Sequence, residues 1–536
     1  VEYEVVLPAI AKLSNVKNQI KQVVTSSIAE YMKPLSQYVK RTSKAVQENP
    51  YKDKIAHVRI GNELCTEEKA YLEKRMPKVK VTLEKLLGRS IDLKNVPKIA
   101  LLGSGGGHRA LVSFTGWAEG FTKIGLMDTV TYMAGVSGST WFVALWLLSG
   151  LPIDKFKEKL SMTVGEGLLN ITPYEFILLA NSFLVKAAFD QNVTLIDIWG
   201  GLIANTFLKD SGDKRYMQYL SQQVKTIADG DWPLSIYTAI RADENSKQDI
   251  YEFTPYEIGA TWLGPQGIYV PTWAYGRKFK NGVSVDFAPQ QNVGFMKGTF
   301  GAAIAARIDT SLAFIFANKK ILPPFDQIVD VVLSTIGNQR VTTASINNFA
   351  FGIEGSVVKD AEQINLSDTG NEINLPYAPL SGERPERLAD IMIFLDVSLG
   401  LPGDFRKVEK YARKKGLKYP VINYANVENR TVSIFKDAND STVPLVIYMP
   451  LVSDSSLIKK AKDAQLFTGL IAHIDGFDVQ KCMHGGYCDT ANNKYTKEQV
   501  EQLSALTEFN VLANKDTIIE AIAWKVDQLE KSHTSK

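Results

Sequence analysis

Two short apolar runs, each ended by glycine and followed by a helix-like pattern, mark the centre of the chain. Ile99-Ala100-Leu101 leads into Leu102-Gly103-Ser104-Gly105-Gly106-Gly107-His108-Arg109, and Val130-Thr131-Tyr132-Met133 leads into Ala134-Gly135-Val136-Ser137-Gly138-Ser139-Thr140-Trp141. Short apolar runs bounded by turn residues predict buried strands. The longest apolar run, Trp141 to Leu148, predicts a buried helix directly after the second turn. Further strands are predicted at Ser235–Arg241, at Tyr251–Gly259 up to a turn, at Ala389–Asp396 and at Val443–Tyr448. Between them lie helical patterns: Thr66–Leu87, much of Leu151–Asp231, and Glu498–Lys525. Strands alternating with helices indicate an α/β fold, here a central mixed β-sheet flanked by helices.

Two segments stand apart from that alternation. Over residues 1–50, Val16, Ile20, Val23, Val24, Ile28, Tyr31, Met32, Leu35 and Val39 recur at helical spacing, with a break at Pro34 and several lysines nearby. This predicts an N-terminal helical extension, either packed on the main domain, the preferred reading, or offering a basic amphipathic face to anionic lipid. From Gly282 to Ile364 the chain is apolar and punctuated by glycine, as in Gly294-Phe295-Met296 and Ile321-Leu322-Pro323-Pro324-Phe325. Core helices or a flap over a site are both open for this span.

Composition narrows the function classes. The 536 residues suffice for one large domain with insertions, taken here as 51–530. A net charge of +3 gives no reason to expect nucleic-acid binding. No apolar run approaches the ~20 residues of a membrane-spanning helix. Three cysteines do not make a disulfide framework in a chain of this length, which favours a reducing compartment. Cys482 and Cys488 are close enough in sequence to pair, and their spacing is not that of a metal site. Five Asn-x-Ser/Thr tripeptides, at Asn170, Asn192, Asn365, Asn429 and Asn439, oppose the cytoplasmic expectation only weakly, because such tripeptides are common by chance.

The second glycine turn is a G-x-S-x-G nucleophile elbow. A strand turning sharply into a helix holds Ser137 on a strained corner with its hydroxyl presented, and small neighbours avoid clashes there. The glycine run upstream supplies what such an elbow needs beside it, backbone N–H groups able to point at an oxyanion.

Together, "GSGGGHRA" and "GVSGSTW" closely resemble the catalytic domain of the cytosolic (group IV) phospholipase A2 family. Fungal lysophospholipases (phospholipases B) share that core, and patatin-type lipid acyl hydrolases are more distant kin. "EFTPYEIG" at 252–259 and the pattern around Asp489-Thr490, Tyr495-Thr496 and the last helix extend the resemblance over most of the chain. It implies Ser137 as nucleophile, Gly106 and Gly107 as the oxyanion hole, and Arg109 facing a substrate phosphate. His108 stands where an aromatic or aliphatic residue is more usual, with an added pH dependence as the one foreseeable effect. The resemblance also implies a cap or lid within about 282–364 that opens onto lipid.

A serine nucleophile needs a base. The order Ser…Asp…His would allow His473 or His484. The resemblance implies instead a Ser–Asp dyad, through Leu366-Ser367-Asp368-Thr369-Gly370 and Asn374-Leu375-Pro376-Tyr377, with Asp368 as base and Thr369 replacing a serine. Burial under a lid would raise the carboxyl pKa and make it a workable base. Arg384 and Arg387 match an arginine pair of the family. Headgroup binding, assigned to Arg387, and a surface salt bridge are the two readings. Asp396 also matches a family position and is read as structural, with the true acid as its alternative role.

The implied activity is a serine acyl hydrolase, cleaving phospholipid or lysophospholipid esters at a membrane surface through an acyl-enzyme. Transacylation by the same dyad and an inactive lipid-binding protein are the alternatives. The implied chemistry needs no cofactor, and calcium enters only if a membrane-docking module lies upstream of Val1. The expected location is cytoplasmic and peripheral to a membrane.

Overall fold

The computed structural model describes residues 48–534, apart from 304–342, 244–247 and scattered positions between 169 and 188. Twelve strands form one mixed sheet: β1 (Arg59–Ile60), β2 (Ile99–Gly103), β3 (Val130–Gly135), β4 (Leu234–Arg241), β5 (Ile250–Phe253), β6 (Glu257–Ala260), β7 (Ile268–Pro271), β8 (Ala344–Asn347), β9 (Gln363–Ser367), β10 (Ile391–Asp396), β11 (Ser433–Phe435) and β12 (Leu445–Pro450). Their order is β1-β7-β6-β5-β4-β3-β2-β10-β12-β11, and the β8–β9 hairpin joins through β9, which pairs antiparallel with the end of β4. The centre, β4-β3-β2-β10-β12, is parallel. Its strands are mostly apolar and almost wholly buried, with helices covering both faces.

The main helices are α1 (Thr66–Leu87), α2 (His108–Lys123), α3 (Gly138–Ser149), α4 (Ile153–Val164), α5 (Leu195–Phe207), α6 (Val293–Phe300), α7 (Gly403–Lys414), α8 (Lys497–Leu512) and α9 (Lys515–Thr534). Among the described residues no helix is long and apolar enough to cross a membrane. Helix α1 buries Glu68, Tyr71, Arg75, Val79 and Leu83, one stripe at three- and four-residue spacing. From that stripe Tyr71 Oη donates to the Thr131 carbonyl at 2.7 Å, and Arg75 donates to the carbonyls of Asp128, Val130, Gly230 and Asp231. These bonds close the N-terminal ends of β3 and β4.

Strand order reverses between β2 and β10. Chains leaving two such strands diverge and open a crevice at their C-terminal ends, where open α/β sheets bind ligands. Both glycine turns, the Val397-Ser398 segment after β10 and the end of β9 lie at this edge.

The predicted run 251–259 is a hairpin rather than one strand. Pro255 has no N–H for a ladder, and Thr254 N and Oγ1 both bond the Glu257 carbonyl to turn the chain between β5 and β6. Residues 489–496, where the family resemblance implies a closing strand, are irregular, and the long closing helix divides at Ala513-Asn514 into α8 and α9. Within 282–364, Val293–Phe300 is the buried helix α6, packed on α5, so this part belongs to the core. The remainder expected as a lid lies mostly in 304–342, outside the described residues, as does the N-terminal extension.

Arg387 departs from both sequence readings. It is not at the surface but fully buried, and its guanidinium is spent on Glu68 and Glu252 rather than left open to a headgroup. Arg384 bonds Glu252 and Glu257, Arg59 bonds Glu257, and Tyr132 Oη donates to Glu68 at 3.0 Å. Three guanidiniums thus face three carboxylates and tie α1, β3, β5 and β6 to the loop before β10. Burial pushes the Glu68 carboxyl up, but Arg387 pulls harder and holds it below the ordinary carboxylate range. Cys65 lies beside Glu68 and Glu257 in metal-ligand proximity, but both carboxylates are already taken by arginines.

Removing one partner from such a cluster leaves an uncompensated charge out of water. Arg387→Met is expected to cost about 3–5 kcal/mol in urea unfolding. An unchanged midpoint would show that the cluster relaxes into solvent.

Candidate active site

Strand β3 ends at Gly135, and Ser137 follows with φ 50° and ψ −121°, a left-handed conformation that non-glycine residues avoid. That geometry turns the chain at once into α3, for which Ser137 is the N-cap residue. The serine therefore sits at the positive end of a buried helix. Parallel pairing of β2 with β3 carries the glycine run to the same place: Gly103 pairs with Gly135, and the Val136 N–H bonds the Gly103 carbonyl at 3.1 Å.

The two turns meet backbone to backbone. A Cβ on Gly138 would lie 2.1 Å from the Gly107 carbonyl oxygen, so only glycine permits the approach. Gly107, at φ 61° and ψ −135°, is the N-cap residue of α2. Among the described residues neither the Gly106 nor the Gly107 amide has an acceptor, whereas the Gly105 amide donates to Asn374 Oδ1 at 3.0 Å. Two unspent N–H groups at a helix N-terminus beside Ser137 are suited to an oxyanion.

Asp368 follows β9 and is 1% exposed. Its carboxylate accepts from the Gly370 amide at 2.9 Å, and the Ser137 hydroxyl and the Ala303 amide lie close enough to favour its ionised form. Burial pushes its pKa up to about 6 against the pull of those groups. Ser137 and Asp368, 231 positions apart in sequence, are thus brought side by side.

No such partnership exists for the histidines. His473 and His484 are exposed, and the bond recorded for His484 is to the Gln480 carbonyl. His108 is buried among Trp141, Phe207 and Tyr495, and burial lowers its pKa to about 4. It stays neutral through the neutral range and adds no pH dependence there, which removes the effect foreseen for it.

Arg109 is 1% exposed. Its Nε donates to the Val397 carbonyl at 3.0 Å and its Nη1 to the Cys488 carbonyl at 2.6 Å. The guanidinium lies against Gly106, where a Cβ would come within 2.9 Å of Nη2. Cys488 is itself held by a disulfide to Cys482, so of the two states open for this pair the structure has the bridged one. Asp396 accepts from Tyr448 Oη at 2.8 Å and from the Ser398 amide at 2.9 Å, a structural placement away from Ser137. Sequence reasoning passed over Asn374, Ser398 and the Ala303 amide. Asn374 lies in a quoted motif, but nothing in its residue type alone announces a role.

Comparison with known proteins follows the same lines. Residues 99–311 match the family model of the lysophospholipase catalytic domain. The chain is 27% identical over 557 residues to cytosolic phospholipase A2 zeta of Mus musculus, covering 88% of this chain and 62% of that protein. It is 25% identical to cytosolic phospholipase A2 epsilon of Homo sapiens, covering 88% and 61%. The chain therefore spans about three-fifths of the length of these curated relatives. Human GIVD cytosolic phospholipase A2 shares the fold, with a TM-score of 0.72 at 21% identity over 88% of this chain and 68% of that one. The same enzyme in complex with methyl gamma-linolenyl fluorophosphonate matches at 0.70 and 23%, over 89% and 66%. An elbow serine beside a buried aspartate and a glycine-run helix terminus, on this sheet, goes with a match of residues 99–311 to the lysophospholipase catalytic domain and with a similarity in sequence and fold to cytosolic phospholipases A2.

Proposed function

We propose that the protein is a serine acyl hydrolase that cleaves fatty-acyl esters of glycerophospholipids or lysophospholipids. The observation that carries this reading is the placement of the Ser137 hydroxyl beside the buried Asp368 carboxylate, next to the unspent Gly106 and Gly107 amides. Asp368 takes the hydroxyl proton as Ser137 Oγ attacks the acyl carbonyl, and the two amides receive the oxyanion. The proton then passes to the leaving alkoxide. A water, deprotonated by the same carboxylate, releases the fatty acid from the acyl-enzyme. Loss of water around Asp368 is what makes a carboxylate a competent base for this step.

Arg109 was expected to neutralise a substrate phosphate. Held by two backbone carbonyls against Gly106, it contributes its permanent charge to the oxyanion site through space, and that field also favours a nearby phosphate. An alcohol in place of water at the second step gives transacylation with the same groups. Substrates at a membrane surface suit a protein that visits that surface peripherally from the cytoplasm, as the naming of its relatives as cytosolic phospholipases A2 supports. Calcium has no part in this chemistry.

Hydrolysis of phosphatidylcholine vesicles and of lysophosphatidylcholine tests the reading. Ser137→Ala and folded Asp368→Asn are each expected to lose at least a hundredfold in kcat, about 3 kcal/mol of transition-state stabilisation. A fluorophosphonate is expected to label wild type and not Ser137→Ala. An active Asp368→Asn would send the search for a base elsewhere, and a wild type inert on every lipid would leave the lipid-binding alternative.

The pKa of Asp368 gives two further readouts with opposite signs. As a base it must be ionised, so kcat/KM is expected to fall on the acid side of about pH 6. For stability, a carboxyl raised from 3.8 to about 6 favours the fold below pH 3.8, and that contribution is lost as pH rises through 6. Relative to wild type, Asp368→Asn should therefore gain stability between pH 4 and pH 8, by up to about 3 kcal/mol. A difference that does not change with pH would mean the carboxyl titrates normally.

A further inference from the structure

Asn374 occupies a position that neither the dyad nor the oxyanion amides account for. Its side-chain amide pairs with Gly105 in both directions: the Gly105 N–H donates to Oδ1 at 3.0 Å, and Nδ2 donates to the Gly105 carbonyl at 3.1 Å. A residue on a neighbouring strand would make the same two bonds, so Asn374 acts as one residue of strand laid beside the glycine run. Nδ2 also donates to Ser398 Oγ at 2.8 Å, and the Asn374 backbone N–H bonds Asp404 Oδ1 at 3.2 Å. Ser398 is in turn anchored by Asp396, which accepts from Tyr448. The chain of bonds therefore runs from the buried end of β10 and β12 to the oxyanion turn.

The same side chain touches the rest of the site. A Cβ built on Gly105 would lie 2.5 Å from Asn374 Oδ1 and 2.7 Å from Ser137 Cβ, so Gly105 is wedged between the asparagine and the nucleophile. A Cβ on Gly370 would lie 2.8 Å from Asn374 Oδ1 and 3.1 Å from Asp368 Oδ1. Asn374 thus abuts the turn whose Gly370 amide bonds the base.

A glycine run has wide conformational freedom, and oxyanion donors stabilise a transition state only if they already point at it. Of the three glycine amides, fixing the first by a bidentate bond leaves the next two to face Ser137. We infer that Asn374 is a positioning residue: its carboxamide locks Gly105, and through it directs the Gly106 and Gly107 amides at the oxyanion while packing on the Asp368 turn. This rests on the acyl-hydrolase reading above. Asparagine suits the role because its short amide offers an acceptor and a donor to one peptide unit. Aspartate, ionised, would turn an acceptor toward the Gly105 carbonyl and Ser398, and would place a second negative charge beside Asp368.

The test uses the whole chain with lysophosphatidylcholine, comparing wild type, Ser137→Ala, Asn374→Ala and Asn374→Asp, with thermal unfolding of each. Asn374→Ala is expected to lower kcat at least thirtyfold with KM within threefold, to slow fluorophosphonate labelling of Ser137 in parallel, and to leave Tm nearly unchanged. Asn374→Asp is expected to lose as much, and to move the acid limb of kcat/KM upward by a unit or more as the new carboxylate opposes ionisation of Asp368. That shift is one that a merely structural role would not produce, and it remains readable if the alanine variant fails to fold. The inference is overturned if folded Asn374→Ala keeps kcat within threefold of wild type, or if Asn374→Asp leaves the acid limb where it was. Failure of the underlying reading looks different: wild type and Ser137→Ala would then be equally inert.

Discussion

The structure depends on one constraint, the parallel pairing of β2 with β3 in a register that brings their two exits together. With Gly103 opposite Gly135, the glycine run and the elbow leave the sheet side by side, and Gly138 packs against the Gly107 carbonyl with no room for a side chain. Two helices then start from adjacent points with their positive ends together. A slip of one residue would turn Ser137 into the core and separate it from the amides, which is why both strands are apolar and buried along their full length. The aspartate arrives from a separate direction, by a hairpin laid antiparallel on the end of β4.

Burial is used in two ways in this molecule. Around Glu68, Glu252 and Glu257, charges removed from water are matched by guanidiniums and built into the frame. At Asp368 only neutral donors are supplied, so the ionised form stays costly and the group is left responsive near neutral pH. Two kinds of buried acid, a short distance apart in sequence from the arginines that serve one of them, thus have opposite behaviour because of their partners.

Much of this was legible in the sequence. The strands β2, β3, β4, β10 and β12 followed from short apolar runs, the first two ended by glycine and one of these leading into the elbow, since local sterics and burial leave a clear trace. Asp368 was legible only through resemblance, because an Asp-x-Gly turn is common and its contact with Ser137 is a product of topology. The fate of Arg387 was not legible: a guanidinium looks the same in sequence whether it meets a phosphate or two buried glutamates. Likewise the hairpin at Pro255 was hidden in a run of strand formers, and Asn374 acquires its role only from what lies opposite it. Pairwise contacts across hundreds of residues leave no periodic signal.

The reach of Arg109 bears on where the working unit begins and ends. The stretch that matches the family model stops at residue 311, and it contains the proposed nucleophile, the glycine turn proposed to hold the oxyanion, and Arg109 itself. Yet the carbonyls that hold that guanidinium come from Val397 and Cys488, the proposed base is Asp368, and Asn374 braces the glycine run. A fragment cut to the recognisable region would carry the signature residues and lack the groups that arrange them. Boundaries for expression, for grafting onto another scaffold, or for tracing which parts of related chains can be exchanged therefore have to reach at least past the disulfide-held turn near Cys488, well beyond the stretch that matches the family model.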